Sequence, residues 1–280
     1  MITQLIQAFK PKDAKLTVST SFDNKYLDYG KILLRSIIKN SPRVKVIILA
    51  INIAEEEFQE FSNCDNIEFI YEQRQFYHAY EQRLYSLARR IFLIDELRQD
   101  SSVENLLQLD SDLIVYQNLN KFSCLFQRGD FLIFARPHMR YEFLRLTMNV
   151  LGLSNSPAAK ALTREWVRQL WRLLEQPQDS KYLDQLTLWK AYDKINQEYE
   201  IKLVNLKSPF IGSKRNDIIR KFTATKNAKG NKKLLNELNK FANNQLKDVP
   251  SNAPAQPESK NIYLHKDILK EHFIKAGFTS

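Results

Sequence analysis

The sequence is short of cysteine, glycine and long apolar runs, and each shortage removes a class of function. Its two cysteines, Cys64 and Cys124, form no C-x-x-C pair, which excludes zinc knuckles and thioredoxin-type exchange and makes reduced thiols the expectation. Only six glycines occur in 280 residues, and the first, Gly30, falls inside a helical pattern, so no glycine-rich phosphate loop follows the first strand. No apolar run approaches the roughly 18 residues that span a bilayer, and residues 1–10 lack the basic start and apolar centre of a signal peptide. A cytoplasmic location is therefore expected. There is no internal repeat, and 44% hydrophobic residues are enough for a sizeable core.

What is present centres on residues 106–115, Leu-Leu-Gln-Leu-Asp-Ser-Asp-Leu-Ile-Val, an apolar run interrupted by two acids. Its length and continuity predict a strand buried on both faces. A buried carboxylate costs several kcal/mol unless it is paired or bound to a cation, so Asp110 and Asp112 call for a partner. A divalent metal suits them, because hard oxygen ligands one residue apart at a chain turn can face one Mg²⁺ or Mn²⁺.

The flanking chain alternates strands and helices. Residues 16–22 are a β-branched run ending in Asp23-Asn24, which can cap a helix over 26–39; a second buried strand follows at 44–51. Strand, helix and strand in this order predict a parallel sheet whose ligand sits beyond the strand C-termini, where residues 19–24 lie. A short helix is expected at 55–61, strands at 67–71 and 131–135, and helices at 76–97, 158–175 and 182–195. Tyr77 and Tyr80 read as core aromatics of the helix at 76–97, and His78 as a surface or capping histidine. Residues 139–154 fit helix or helix plus strand, and short strands are expected at 201–206 and 209–212. Trp166, Trp171 and Trp189 sit among leucines and read as packing.

The net charge of +10 is concentrated: between Ile201 and Lys247 twelve Lys/Arg face only Asp217 and Glu237. Such an excess favours an anionic partner. Residues 226–260, Lys/Asn-rich and then proline-rich, read as a flexible basic insertion within one domain spanning 1–280. Lys226, Lys229, Lys232 and Lys233 flank Leu234, Leu235 and Leu238, a pattern suited to anionic lipid or an acidic glycan and equally to a solvated segment. A final strand is expected at 262–265, ending in His265.

Together these stretches resemble the metal-dependent nucleotide-sugar glycosyltransferases of the glycosyltransferase-A fold, closest to the retaining galactosyltransferase and glycogenin-like group. The resemblance covers most of residues 16–212 and returns at His265. It implies an α/β domain with a mainly parallel sheet, and Ser21, Asp23, Asn24 and Tyr26 meeting uracil and ribose. Arg90 would reach the donor, Asp110 and Asp112 would bind metal and donor, and Asn149 would lie beside the donor sugar. Asp184 and Gln185 would act near the anomeric carbon, His265 would be the third metal ligand, and Lys266 or Lys270 would contact the diphosphate. The sequence departs from the family where Asn149-Val150-Leu151-Gly152 replaces Asn-Ala-Gly and where the glycine and Lys-Pro-Trp after the histidine are missing. The implied reaction is hexose transfer from a UDP-sugar, with retention, to a glycan, lipid or protein hydroxyl. Peripheral contact with an anionic membrane is compatible with the basic segment, and nucleic acid is not an expected partner.

Three other readings compete. A haloacid-dehalogenase-like phosphatase also places Asp-x-Asp after a buried strand, but it expects Thr or Val where Ile114 stands, and a later acid pair. A sugar nucleotidyltransferase needs the glycine-rich loop that is absent. An inert transferase-like protein that binds through its basic segment would keep the fold without the chemistry.

Overall fold

The computed structural model describes residues 16–77, 79–175, 182–212 and 216–221. Strand β1 (Leu16–Asp23) leads through a 3-10 turn, Asn24–Tyr26, into helix α1 (Leu27–Asn40). There follow β2 (Lys45–Ile51), a 3-10 segment (Glu55–Phe61), β3 (Ile67–Glu72) and helix α2 (Ala79–Gln99). Next come β4 (Asn105–Leu109), β5 (Leu113–Val115), helical turns at Leu119–Phe122 and Ser123–Phe126, and β6 (Phe131–Ala135). A 3-10 turn (Glu142–Arg145) precedes β7 (Leu146–Ser154), α3 (Pro157–Glu175) and α4 (Leu183–Tyr199). Strands β8 (Leu203–Asn205), β9 (Ile211–Gly212) and β10 (Ile219–Lys221) close the described chain.

Seven strands form one sheet in the order β3-β2-β1-β4-β7-β6-β8. Neighbours from β3 to β4 are parallel, β7 runs antiparallel to both β4 and β6, and β6 is parallel to β8. This is the mainly parallel α/β sheet the sequence implies. Period-2 geometry divides β2 between two cores: Ile47, Leu49 and Ile51 belong to the cluster that also holds the apolar faces of α2, α3 and α4, whereas Val46, Ile48 and Ala50 belong to the one that holds α1. Covering both faces explains the unbroken apolar sequence, since each fully buried aliphatic side chain stabilises the fold by about 1.5–3 kcal/mol.

The structure corrects several expectations. Residues 106–115 are not one strand: β4 stops at Leu109, and β5 resumes at Leu113 in a separate three-stranded sheet, order β5-β10-β9. Two carboxylates cannot continue a strand that is covered on both faces, and they fall in the break. The small sheet shares a core with the large one: Leu113, Val115, Ile211 and Ile219 belong to the same cluster as Val18 and Leu33. The ambiguous stretch at 139–154 resolves as a 3-10 turn plus strand, since β4 and β6 both pair with β7. Helix α2 begins only at Ala79, and Tyr77 is 82% exposed rather than core. Residues 55–61 adopt 3-10 geometry. The expected insertion at 226–260, the final strand at 262–265 and His78 lie outside the described residues.

Gly30 permits α1 to rest on β1, because a Cβ there would enter the Phe22 ring. Gly30→Val should therefore lower unfolding free energy by about 1–3 kcal/mol, the usual cost of overpacking, read as a shifted denaturant midpoint with unchanged slope. On the opposite face α3 and α4 are joined by the Trp166 indole N–H donating to Thr187 Oγ1 at 2.9 Å and by Lys194 Nζ on the fully buried Glu165 carboxylate at 2.9 Å. Burial pushes the Glu165 pKa up, but hydrogen bonds from Lys194 and Gln169 and the Lys194 charge outweigh it and hold it below the ordinary 4.5. A depressed carboxyl pKa gives stability that is present above about pH 4.5 and lost as pH falls through the folded-state value. Glu165→Gln should flatten that acid limb of the stability profile in denaturation titrations.

Candidate active site at the break between β4 and β5

The strand ends of β1 and β4 are adjacent in the sheet, with Ser19 opposite Gln108 and its hydroxyl donating to Gln108 Oε1 at 2.6 Å. Past this point each strand carries its acids. Asp23 ends β1, and its side chain accepts the Lys25 backbone N–H at 3.0 Å, as expected of a cap. Burial pushes the Asp23 pKa up, and the Lys25 N–H and charge act against it. Gln82 of α2 completes this corner, its amide donating to Asp23 Oδ2 and to Asn24 Oδ1, both at 3.1 Å.

Asp110 follows β4, and its backbone N–H donates to the Asn149 carbonyl of β7 at 2.9 Å. Arg90 of α2 then bridges two acids with its two terminal nitrogens: Nη1 lies 2.6 Å from Asp110 Oδ1 and Nη2 2.8 Å from Asp184 Oδ2. Its guanidinium is 9% exposed, the carboxylates 22% and 14%, so these charges are mostly shielded from screening by water. Asp184 lies in the first turn of α4, where its other oxygen, Oδ1, accepts the Gln185 N–H at 2.9 Å. Gln185 Oε1 is buried and has no hydrogen-bond partner among the described residues.

Asp112 is half-buried, and its negative charge helps raise the pKa values of Tyr26 and Tyr29, after burial in both cases, which places it beside the start of α1. The Arg83 charge opposes the rise at Tyr26, so that guanidinium belongs to the same neighbourhood.

The predicted residues thus fall into linked groups: Asp23 and Asn24 held by Gln82, Tyr26 near Asp112, and Asp110, Asn149, Asp184 and Gln185 around Arg90. Ser21 lies on β1 two residues before Asp23. His265, Lys266 and Lys270 lie outside the described residues, and among the described residues no three His, Cys, Asp or Glu side chains group closely enough to hold a metal ion. Gln82 was missed by the sequence reading, although Gln82, Ser86 and Arg90 fall at helical spacing on one face of α2. Asp110 and Asp112 supply hard oxygen donors that fit Mg²⁺ or Mn²⁺, with Arg90 already bonded to one oxygen of Asp110.

No protein-family model matches the chain, and no curated protein matches it. Solved structures do. Galactosyltransferase LgtC, determined with donor and acceptor sugar analogs, matches with TM-score 0.56 and 13% identity over 84% of this chain and 97% of its own. Glycosyltransferase GlyE of Streptococcus pneumoniae TIGR4 matches with TM-score 0.55 and 17% identity over 94% of this chain and 64% of its own. The bifunctional glycosyltransferase WbbM matches with TM-score 0.49 and 15% identity over 73% of this chain, which spans 41% of its length. The seven-stranded, mostly parallel sheet with its flanking helices therefore has the glycosyltransferase-A-type fold of LgtC and GlyE.

Proposed function

We propose that the chain transfers a hexose from a UDP-sugar to a hydroxyl group, with retention, at the break between β4 and β5. The observation that carries the reading is the Arg90 bridge, which joins an Asp-x-Asp segment at the C-terminal end of the central strand β4 to Asp184 and Gln185 of α4. Ser21, Asp23, Asn24 and Tyr26, at the neighbouring strand end, would bind uracil and ribose. Mn²⁺ or Mg²⁺ on Asp110 and Asp112, with His265 as third ligand, would offset the charge on the departing diphosphate. Lys266 or Lys270 would add to that effect, and Asn149 would lie against the sugar.

The hydrogen bonds separate two roles at the anomeric centre. Both oxygens of Asp184 are engaged, by Arg90 and by the Gln185 N–H, so it serves as a positioning group and not as a free nucleophile. Gln185 presents a buried amide oxygen whose hydrogen-bonding capacity no described residue takes up, which suits contact with the sugar. Same-face attack assisted by the leaving phosphate then accounts for retention better than a covalent intermediate on Asp184.

Calorimetric titration of the full chain with UDP tests this reading. Binding should appear with Mn²⁺ or Mg²⁺ and weaken strongly in EDTA. Binding unaffected by EDTA would remove the metal, and no binding in either condition would remove the function. Among the described residues no helix is long and apolar enough to cross a membrane. The proposed contact of the basic segment with an anionic surface concerns residues outside those described.

A further inference from the structure

The connection between β6 and β7, residues 136–145, plays no part in the chemistry proposed above. It is fastened from within. The Arg136 backbone N–H donates to the Arg145 carbonyl at 2.7 Å and its guanidinium to the Leu144 carbonyl at 3.0 Å. Arg145 donates to the Met139 carbonyl at 3.3 Å and pairs with Glu142 at 3.6 Å. Two of the three arginines thus hold the loop in shape, while Arg140 lies exposed 5.6 Å from the centre of the Tyr141 ring.

From Tyr141 the rings continue as a ladder: Tyr141 to Phe143 at 5.8 Å and nearly parallel, then Phe143 to Tyr182 at 5.8 Å. Tyr141 is 54% exposed and Tyr182 40%, and Tyr182 stands two residues before Asp184. The ladder therefore leads from an outward cation to the edge of the candidate site. Contiguous aromatic surface left in water marks a binding surface. The faces of such rings suit the C–H faces of a pyranose, which leave its hydroxyl rim hydrated. Arg140 adds a fork that pairs bidentately with a carboxylate or phosphate, and a neutral sugar would not use it.

With the transferase reading as premise, we infer that this ledge binds the acceptor and that the acceptor is an anionic saccharide. Its ring stacks on Tyr141, Phe143 and Tyr182, and its acidic group pairs with Arg140.

The test is calorimetric binding to the full chain of three probes: an oligogalacturonate, a phosphomannosyl oligosaccharide and neutral maltohexaose. At least one acidic probe should bind about tenfold or more tightly than maltohexaose, the scale of one charge-assisted hydrogen-bonded pair, and which one binds identifies carboxylate or phosphate. Arg140→Gln should remove that preference, and Tyr141→Ala should weaken binding of the acidic probe, both with unchanged circular dichroism. Equal binding of acidic and neutral probes, a preference that survives Arg140→Gln, or binding of none of the three overturns the inference. If UDP still binds in that event, the transferase reading stands without it; if UDP does not bind, that reading fails on its own.

Discussion

Arg90→Ala should reduce donor turnover by about 10²–10³-fold, the scale for losing a preorganised charged donor at a reacting centre, and should also lower stability by about 2–3 kcal/mol. Both effects have one cause. Arg90 lies on α2, Asp110 follows β4 and Asp184 opens α4, so one guanidinium ties three elements together through contacts of 2.6 and 2.8 Å. Its removal leaves two largely shielded carboxylates without that cation, and Asp184 loses the group that orients it. Arg90→Lys separates the parts: a single ammonium keeps the charge but not the planar fork that reaches both acids. It should restore more stability than turnover. Steady-state UDP release beside urea denaturation reads both, and turnover unchanged in Arg90→Ala would take Arg90 out of the site.

Asp112→Asn should lower donor turnover by about 10²-fold or more while leaving the fold intact, because an amide cannot supply the charge a dication needs. The side chain is half-buried at a chain break and not inside a strand, so its neutralisation should cost little stability. UDP titration of the variant should show weakened binding that excess Mn²⁺ partly recovers. Wild-type turnover in Asp112→Asn would exclude the metal-assisted mechanism.

Much of the fold was legible because the inner strands β1, β2 and β4 are buried on both faces. Residues 44–51 could only be an inner strand, and β2 occupies Lys45–Ile51. The chain break at Asp110-Ser111-Asp112 was not legible: the apolar residues on either side read as one run, and β5 turns into a second sheet through pairing with β10, about a hundred residues later. Strand β7 was obscured for a similar reason, since its extended form is set by β4 and β6 on its two sides and not by its own pattern. In the site, the Asp-x-Asp pair and the cap at Asp23 are local signals and were readable. The Arg90 bridge to Asp184 spans 94 residues, and the sequence announced neither the salt bridge nor the burial that strengthens it. Gln82 could have been found from its helical spacing with Arg90, had both been assigned to one face.

The central claim is that this chain cleaves a UDP-hexose at the Asp110–Asp112 break. Proton NMR of the full chain with a panel of UDP-hexoses, Mn²⁺ and mixed saccharide acceptors tests it most directly. The expected result is release of UDP from at least one donor, with the anomeric configuration of that donor kept in the product and both signals lost in Asp112→Asn. Intact donors across the whole panel, or release undiminished in Asp112→Asn, would contradict it.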